Sequence, residues 1–535
     1  MARHPNEAEP SRGEAERWRE EAKRLTAENA ALRARVAKLK GQIAALRERV
    51  ATLAKLVFGH SSEKKKPALA CDQDAGGGQD PERRRRGQQP GSRGHGRRDY
   101  SHLDTVEEVH DVPEDERVCP RCGAAYEPFS EERSEQIDWQ VHVKRVVQRR
   151  PTYRRTCRCP VPGVLVAPVP PKPIPKGLFT SGFLAWVLVE KHVLGRPIER
   201  IVSALAHNGL AVAPGTLVGT LQALSALLAP LDAAIRARNA AAGHLHVDET
   251  SWQVFETVAD KDNHRWWLWT FVGPDTTVLS VERSRSTQVL AEHLGIDLQA
   301  DALEEGRRLL VSSDFFTVYQ ALARIEGVDP LWCWAHIRRY FIRAGDAHHE
   351  LAGWSTAWLE RIAALYVAHR ALGAVEVGSA EHARASEGFA QALEAIDTAR
   401  TAEAADEATH PAAAKVLATL DHEWEGLARH QSFPELPLDN NTAERALRGP
   451  VVGRKNYYGS GSVWAAELAS RVWTITATAT RAGCNPLTYL RAYLDACAAG
   501  GGRAPSGKAL ARFLPWAASQ ADLAMWRGPP AGPAP

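Results

Sequence analysis

Three carboxylates sit in settings that suit metal-assisted phosphoryl transfer. Asp248 ends the apolar–polar alternation of "HLHVDETSW" (244–252), Asp314 follows the apolar run in "LLVSSDFFTVY" (309–319), and Glu444 opens a helical stretch in "DNNTAERALR" (439–448). If the two strands lie side by side at the centre of a sheet, Asp248 and Asp314 come together. A late helix packed beside the first strand can then present Glu444. Such a set could bind two Mg²⁺ or Mn²⁺ ions per active site, about 4 Å apart, through hard oxygen ligands. One ion would activate an attacking water or 3′-hydroxyl, and the other would stabilise the leaving oxygen. Each acid also has an ordinary role open to it. The two aspartates could cap turns at strand ends, and Asn441 followed by Glu444 matches a capping box. Glu249 could replace Asp248, although strand alternation points it to the opposite face.

A second group with ligand chemistry is "VCPRCG", with Cys119 and Cys122, and "RTCRCP", with Cys157 and Cys159. Between them "EQIDWQVHVKRVVQRRPTYRR" (135–155) alternates like a β-hairpin. Two close thiol pairs joined by a hairpin describe a ribbon holding one structural Zn²⁺ by four thiolates. The C-x-C pair is tight and the gap of 34 residues between the pairs is long for that motif. Four unpaired thiols, or a pair completed by His142, are the alternatives.

The elements that must position these groups are written unevenly along the chain. The 535 residues, 44% of them hydrophobic, suffice for several domains with a large core. Residues 15–58 carry heptads, with Leu25, Leu32, Leu39, Leu46 and Leu53 at one core position and Val36, Ile43, Val50 and Val57 at the other. That pattern predicts a parallel coiled coil and hence a homodimer or higher oligomer. Residues 59–100 form a flexible basic linker in which Arg83, Arg84, Arg85, Arg86, Arg97 and Arg98 suit a polyanion such as DNA, or else a solvated arm. Residues 101–165 form the cysteine unit. Residues 177–240 are helical, with a helix near 198–207, a turn at Asn208-Gly209 and a helix near 214–228. These read as a helix–turn–helix or as an α-hairpin that merely packs, since the second helix starts without Lys or Arg.

From 244 to 344 three strands, a helix, a strand ending in an acid and a fifth strand running into a helix follow the order of a ribonuclease-H-like α/β core. Residues 345–435 read as an Ala-rich helical insertion, 436–495 as the second part of the core with Glu444, and 496–535 as a C-terminal tail. The fold class expected is therefore multidomain α+β. The polar N-terminus and the lack of an unbroken apolar run of about 20 residues point to a cytoplasmic protein with no membrane partner. Reduced thiols there favour metal binding or burial over disulfides.

Taken in order, "LVFGHSSEK", "RRRRGQQPGSRGHGRRDY", "CPRCG", "HVDET", "SSDFFTVY", "CWAHIRRYF", "DNNTAERALRGPVVGRKNYY", "NPLTYL" and "FLPW" resemble an insertion-sequence-66 family transposase, over nearly the whole chain. The resemblance implies an aspartate–aspartate–glutamate catalytic triad at Asp248, Asp314 and Glu444. It also implies a supporting role, structural or catalytic, for Cys333 and His336 of the Cys-x-x-His feature and for Arg448, and phosphate contacts from Arg454 and Lys455. The activity implied is nicking of the ends of a bacterial mobile element and joining of the 3′-hydroxyls to target DNA near the nucleoid, with accessory proteins of the same element as further partners. A non-catalytic DNA-binding derivative and a ribonuclease-H-like DNA nuclease are the competing readings.

Overall fold

A computed structural model describes residues 164–256, 264–406 and 408–528 without a break, much of 105–162, and five positions between Glu21 and Arg35. The chain divides into two compact units, Met1–Gly91 and Ser92–Pro535. In the first, Glu21, Lys23, Arg24, Glu28 and Arg35 are helical and exposed. The apolar heptad positions, and the linker arginines Arg83 to Arg86, Arg97 and Arg98, lie outside the described residues.

The second unit is mixed helix and sheet. It opens with a small antiparallel ribbon, β1 (Thr152–Arg154) with β2 (Val164–Val166), in the register Thr152↔Val166. The expected hairpin between the cysteine pairs is corrected here. Residues 141–150 form no strand, and the ribbon instead flanks Cys157 and Cys159. Among the described residues the alternating valines are uncovered: Val141, Val143, Val146 and Val147 are all exposed. A two-stranded ribbon without a covered face is marginal in water.

Helices α1 (Ser181–Leu188), α2 (Ile198–His207) and α3 (Pro214–Ala240) follow, with a π-turn over Val189–Val193 after α1. The break between α2 and α3 falls at Asn208-Gly209 as predicted, with Gly209 at φ +81°. Pro214 occupies the first turn of α3, where its missing N–H costs nothing. The helix then runs well past residue 228. By length and composition α3 is apolar enough to cross a membrane, which qualifies the sequence-based expectation. Here Leu224, Leu228, Leu231 and Ile235 are fully buried in the protein core.

Five strands form one sheet: β3 (His244–Trp252), β4 (Trp266–Val272), β5 (Thr277–Glu282), β6 (Leu309–Ser313) and β7 (Val328–Trp332), in the order β5-β4-β3-β6-β7. β3, β4 and β5 are an antiparallel meander, and β6 and β7 run parallel to β3. The parallel steps need crossovers. These are α4 (Thr287–Leu294), stopped by Gly295 in the left-handed region at φ +63°, and α5 (Thr317–Leu322). Period-two alternation divides β3 between two cores. Leu245 and Val247 join the larger cluster with α3, α4 and α5, while Trp252 joins Trp266, Leu268 and Leu279 under the last helices.

Five helices come next: α6 (Trp334–Ala347), α7 (Ala352–Leu372), α8 (Ala380–Ala404), α9 (Pro411–His422) and α10 (Trp424–Ala428). The insertion is helical, and it shares the core of α6: Phe341 stacks on Trp358 with centroids 4.7 Å apart, and Trp334 meets Trp424 edge-on. Indole N–H groups of Trp354 and Trp358 both donate to one oxygen of Glu403, at 2.7 and 2.8 Å. α11 (Asn441–Tyr457) then crosses beside β3, and α12 (Val463–Arg481) covers the edge strand β5. Ser470, Thr474 and Thr478, one per turn of α12, accept the N–H groups of Val281, Leu279 and Thr277 at 3.0, 3.0 and 3.1 Å. Three outward-facing donors that would otherwise template another strand are thereby satisfied. α13 (Pro486–Ala499) packs on α1, and the tail folds back so that Trp526 is fully buried against Phe513 and Tyr489.

Candidate active site

Register places the two aspartates. β3 and β6 pair His244↔Leu310, Leu245↔Val311 and His246↔Ser312. The same offset carried two residues further sets Asp248 opposite Asp314, one strand spacing of about 4.8 Å away along the sheet. Backbone steers each carboxylate: Oδ1 of Asp248 accepts from the Glu249 N–H at 2.8 Å, and Oδ1 of Asp314 from the Phe316 N–H at 3.0 Å. Burial pushes the Asp248 carboxyl up to about 8, and the charges of Glu249, Asp314 and Glu444 push it the same way.

Glu444 arrives on α11, whose start is fixed by "DNN". Buried Asn440 donates its side-chain N–H to the Val247 carbonyl at 2.7 Å, meets Nδ1 of His246 at 3.1 Å, and donates its backbone N–H to Sγ of Cys333 at 3.1 Å. Asp439 accepts the Asn441 N–H at 3.1 Å. The capping-box alternative is overturned. Asn441 is already helical, so Glu444 stands in the fourth position rather than the third. Its carboxylate turns to Arg339 at 3.3 Å, with Nε2 of His336 at 3.9 Å.

Cys333 and His336 brace this arrangement from α6. Burial raises the Cys333 thiol to about 12, so it serves as a neutral acceptor for Asn440. Burial, with the Arg339 charge beside it, holds His336 below the usual imidazole range, and its Nε2 accepts from Arg339 at 3.2 Å. Sequence reading missed Arg339 and Asn440. The spacing of His336 and Arg339 in "CWAHIRRYF", three apart on one helical face, was the available signal for the first. Nothing local marked the second. Glu249 points away from Asp248, as alternation predicts, and is taken up by Arg285 at 2.6 Å and by the Tyr319 hydroxyl.

The predicted basic contacts divide. Arg448 and Lys455 are exposed on α11. Arg454 is half-buried and binds β3 through the Ser251 carbonyl, tying the end of α11 to the strand. The exposed start of α3 carries Gly215, Thr216, Val218 and Gly219, and its other face packs through Leu217 and Leu221.

Among the described residues, one group brings three ligand-type atoms within 4.8 Å of one another: His348, Glu350 and His410. The three acids are thus set more loosely than a closed cage. In that other group Nδ1 of His410 accepts the Ala412 N–H at 3.1 Å, which leaves its proton on Nε2, 3.3 Å from Glu350. That tautomer caps α9 and leaves no lone pair on Nε2 for an ion. The cysteines form two adjacent pairs, Cys119 with Cys122 and Cys157 with Cys159; hydrogen bonds from the Arg121 backbone and from Cys122 lower the Cys119 thiol, and hydrogen bonds from Cys159 lower that of Cys157. The four sulfurs do not gather into one set.

Comparison with known proteins places residues 176–468, more than half of the chain and all three acids, within the Transposase IS66 family profile. Two uncharacterized proteins of Sinorhizobium fredii are similar over most of their length. One, y4jD, is 26% identical over 76% of this chain and 79% of its own, and the other, y4hP, is 23% identical over 72% of each. No solved structure matches.

Proposed function

The chain belongs to the IS66 transposase family, and on that premise we propose that it nicks the ends of a mobile element and joins the freed 3′-hydroxyls to target DNA, with Asp248, Asp314 and Glu444 as the catalytic acids. The observation that carries the assignment is the placing of Asp314 and Glu444 about a buried Asp248, whose carboxyl burial first, and then the charges of Glu249, Asp314 and Glu444, raise to about 8. Buried acids that repel one another suit a divalent cation. Asp248, Asp314 and Glu444 would hold Mg²⁺ or Mn²⁺, which when bound supplies Lewis-acid stabilisation of the attacking and leaving oxygens. Asn440 and Cys333 hold α11 at a fixed distance from β3. Arg339, beside Glu444 and His336, would also donate to a phosphate oxygen. Arg448 and Lys455 continue the path for the DNA backbone along α11. In the same reading the linker arginines and a zinc-loaded cysteine unit grip the element ends, and the coiled coil pairs protomers so that two ends react in one complex.

The test is a strand-transfer assay with Mg²⁺ on the DNA that flanks the reading frame. Activity in the wild type, lost in Asp248→Asn with DNA binding kept, supports the proposal. Binding without cleavage in any divalent salt leaves a non-catalytic DNA-binding protein. Cutting of branched DNA whatever its end sequence leaves a nuclease.

A further inference from the structure

We propose that the cavity at the far end of β3 is a slot for one unstacked nucleobase of the bound DNA, an assignment that rests on the transposase reading. The cavity measures about 380 Å³ and is lined by Lys191, His192, Trp252, Tyr457, Trp464 and Trp473, among others. Trp252 lies four residues beyond Asp248 on the same face of β3. It is therefore about 13 Å from that acid, or roughly three to four nucleotide steps along a strand.

One wall is the strap Gly459–Ser462, sewn to the extension of β3. The Ser460 N–H donates to the Gln253 carbonyl at 2.9 Å, its own carbonyl accepts from the Phe255 N–H at 2.9 Å, and its hydroxyl accepts the Trp252 indole N–H at 3.1 Å. Gly459, at φ +157°, presses so close that a side chain there would strike the Gln253 carbonyl. The strap is thus fixed while the space beneath it stays open.

Three features suit a base. Four indole or phenol rings, those of Trp252, Tyr457, Trp464 and Trp473, line the cavity beside aliphatic side chains such as Ile198 and Leu221, and base–aromatic stacking tolerates any sequence. Lys191 holds its ammonium 3.9 Å over the Tyr457 ring, and burial lowers it to about 8, so that a nearby phosphate would secure its charge. Buried His192 has an Nε2 without a hydrogen-bond partner, and burial keeps the ring neutral at about 3. A neutral imidazole can offer or accept one hydrogen bond at a base edge. Exposed Tyr458 caps the end of α11 beside the strap, shortly after Arg454 and Lys455.

The test uses the full chain with oligothymidine carrying iodouracil, photocrosslinked without divalent ions, alongside affinity measured across a salt series. The expected crosslinks fall on Trp252, Tyr457 or Trp464. Ala465→Trp, which fills the slot from a half-exposed position, and Trp464→Ala should each weaken single-strand affinity about tenfold, with the salt slope unchanged because phosphate contacts persist. Crosslinks elsewhere, or crosslinks and affinity unmoved in both variants, overturn the slot while DNA binding stands. Failure of the wild type to bind any DNA overturns the transposase reading instead.

Discussion

The acid site and the cysteine ribbon are both built from ligand-type side chains supplied by separate stretches of chain, and they meet opposite fates. Asp248, Asp314 and Glu444 come near one another because a buried sheet register, an asparagine that ties the head of α11 to β3, and a covering helix fix their backbones. The cysteines stay as two pairs, three of the four exposed, beside a ribbon of two three-residue strands. A large apolar core can hold mutually repelling groups together. A small ribbon with little apolar surface has no such packing to hold four thiols together.

The largest effect that would break this contrast lies at the acids. Asp248→Asn or Asp314→Asn should lower strand transfer by about a thousandfold or more, with DNA retention on filters unchanged. Near-normal turnover in either variant would remove the acids from the chemistry. On the other side, cobalt added to the wild type should give the absorption of tetrahedral thiolate ligation. Cys159→Ser should weaken that binding by more than the roughly 10- to 100-fold typical of outer-shell changes, and leave the main unfolding transition in place. An unchanged cobalt spectrum would take Cys159 out of the ligand set.

The middle of the range is Asn440. Removing its side chain leaves the Val247 carbonyl unpaired, so Asn440→Ala should cost about 1–3 kcal/mol in urea unfolding and reduce strand transfer as α11 loosens. Loss of activity with no loss of stability would mean that Asn440 touches the reaction itself.

The smallest effect is in pH. The Asp248 carboxyl is raised from 3.8 to about 8 in the fold. Between those values the folded chain holds a proton that the unfolded chain has released. Stability should therefore fall as pH rises through that window and level off above it. Without divalent ions, Asp248→Asn should melt at least about 2 °C higher than the wild type near neutral pH, and Mg²⁺ should narrow the gap by stabilising the ionised form. A wild-type melting temperature that rises from acid to neutral relative to the variant would refute the raised Asp248 carboxyl.

Much of the fold is written locally. The alternation of "HLHVDETSW" and the apolar run before Asp314 mark two strands, but Asp248 sits in the middle of β3 and only Asp314 follows the end of its strand; the break at Asn208-Gly209 falls where it was read. The hairpin over 135–155 failed for a reason that sequence does not carry. Alternation forms a strand only if a partner covers one face, and Val141 and Val143 are exposed among the described residues. Glu444 was legible as an acid at a helix start, but whether it capped that helix depended on Asn440, whose amide serves a different strand.

What the sequence determined alone was periodicity: which residues share a face within a strand or a helical turn, and hence that Asp248 and Glu249 part company. What only the tertiary structure decided was who stands opposite whom. Arg339 on Glu444, Arg285 and Tyr319 on Glu249, and the ring-lined slot beyond Trp252 all join residues from distant elements. The reason is range. Backbone geometry repeats over two or four residues, whereas a contact across a parallel crossover or a helical insertion depends on how whole faces pack.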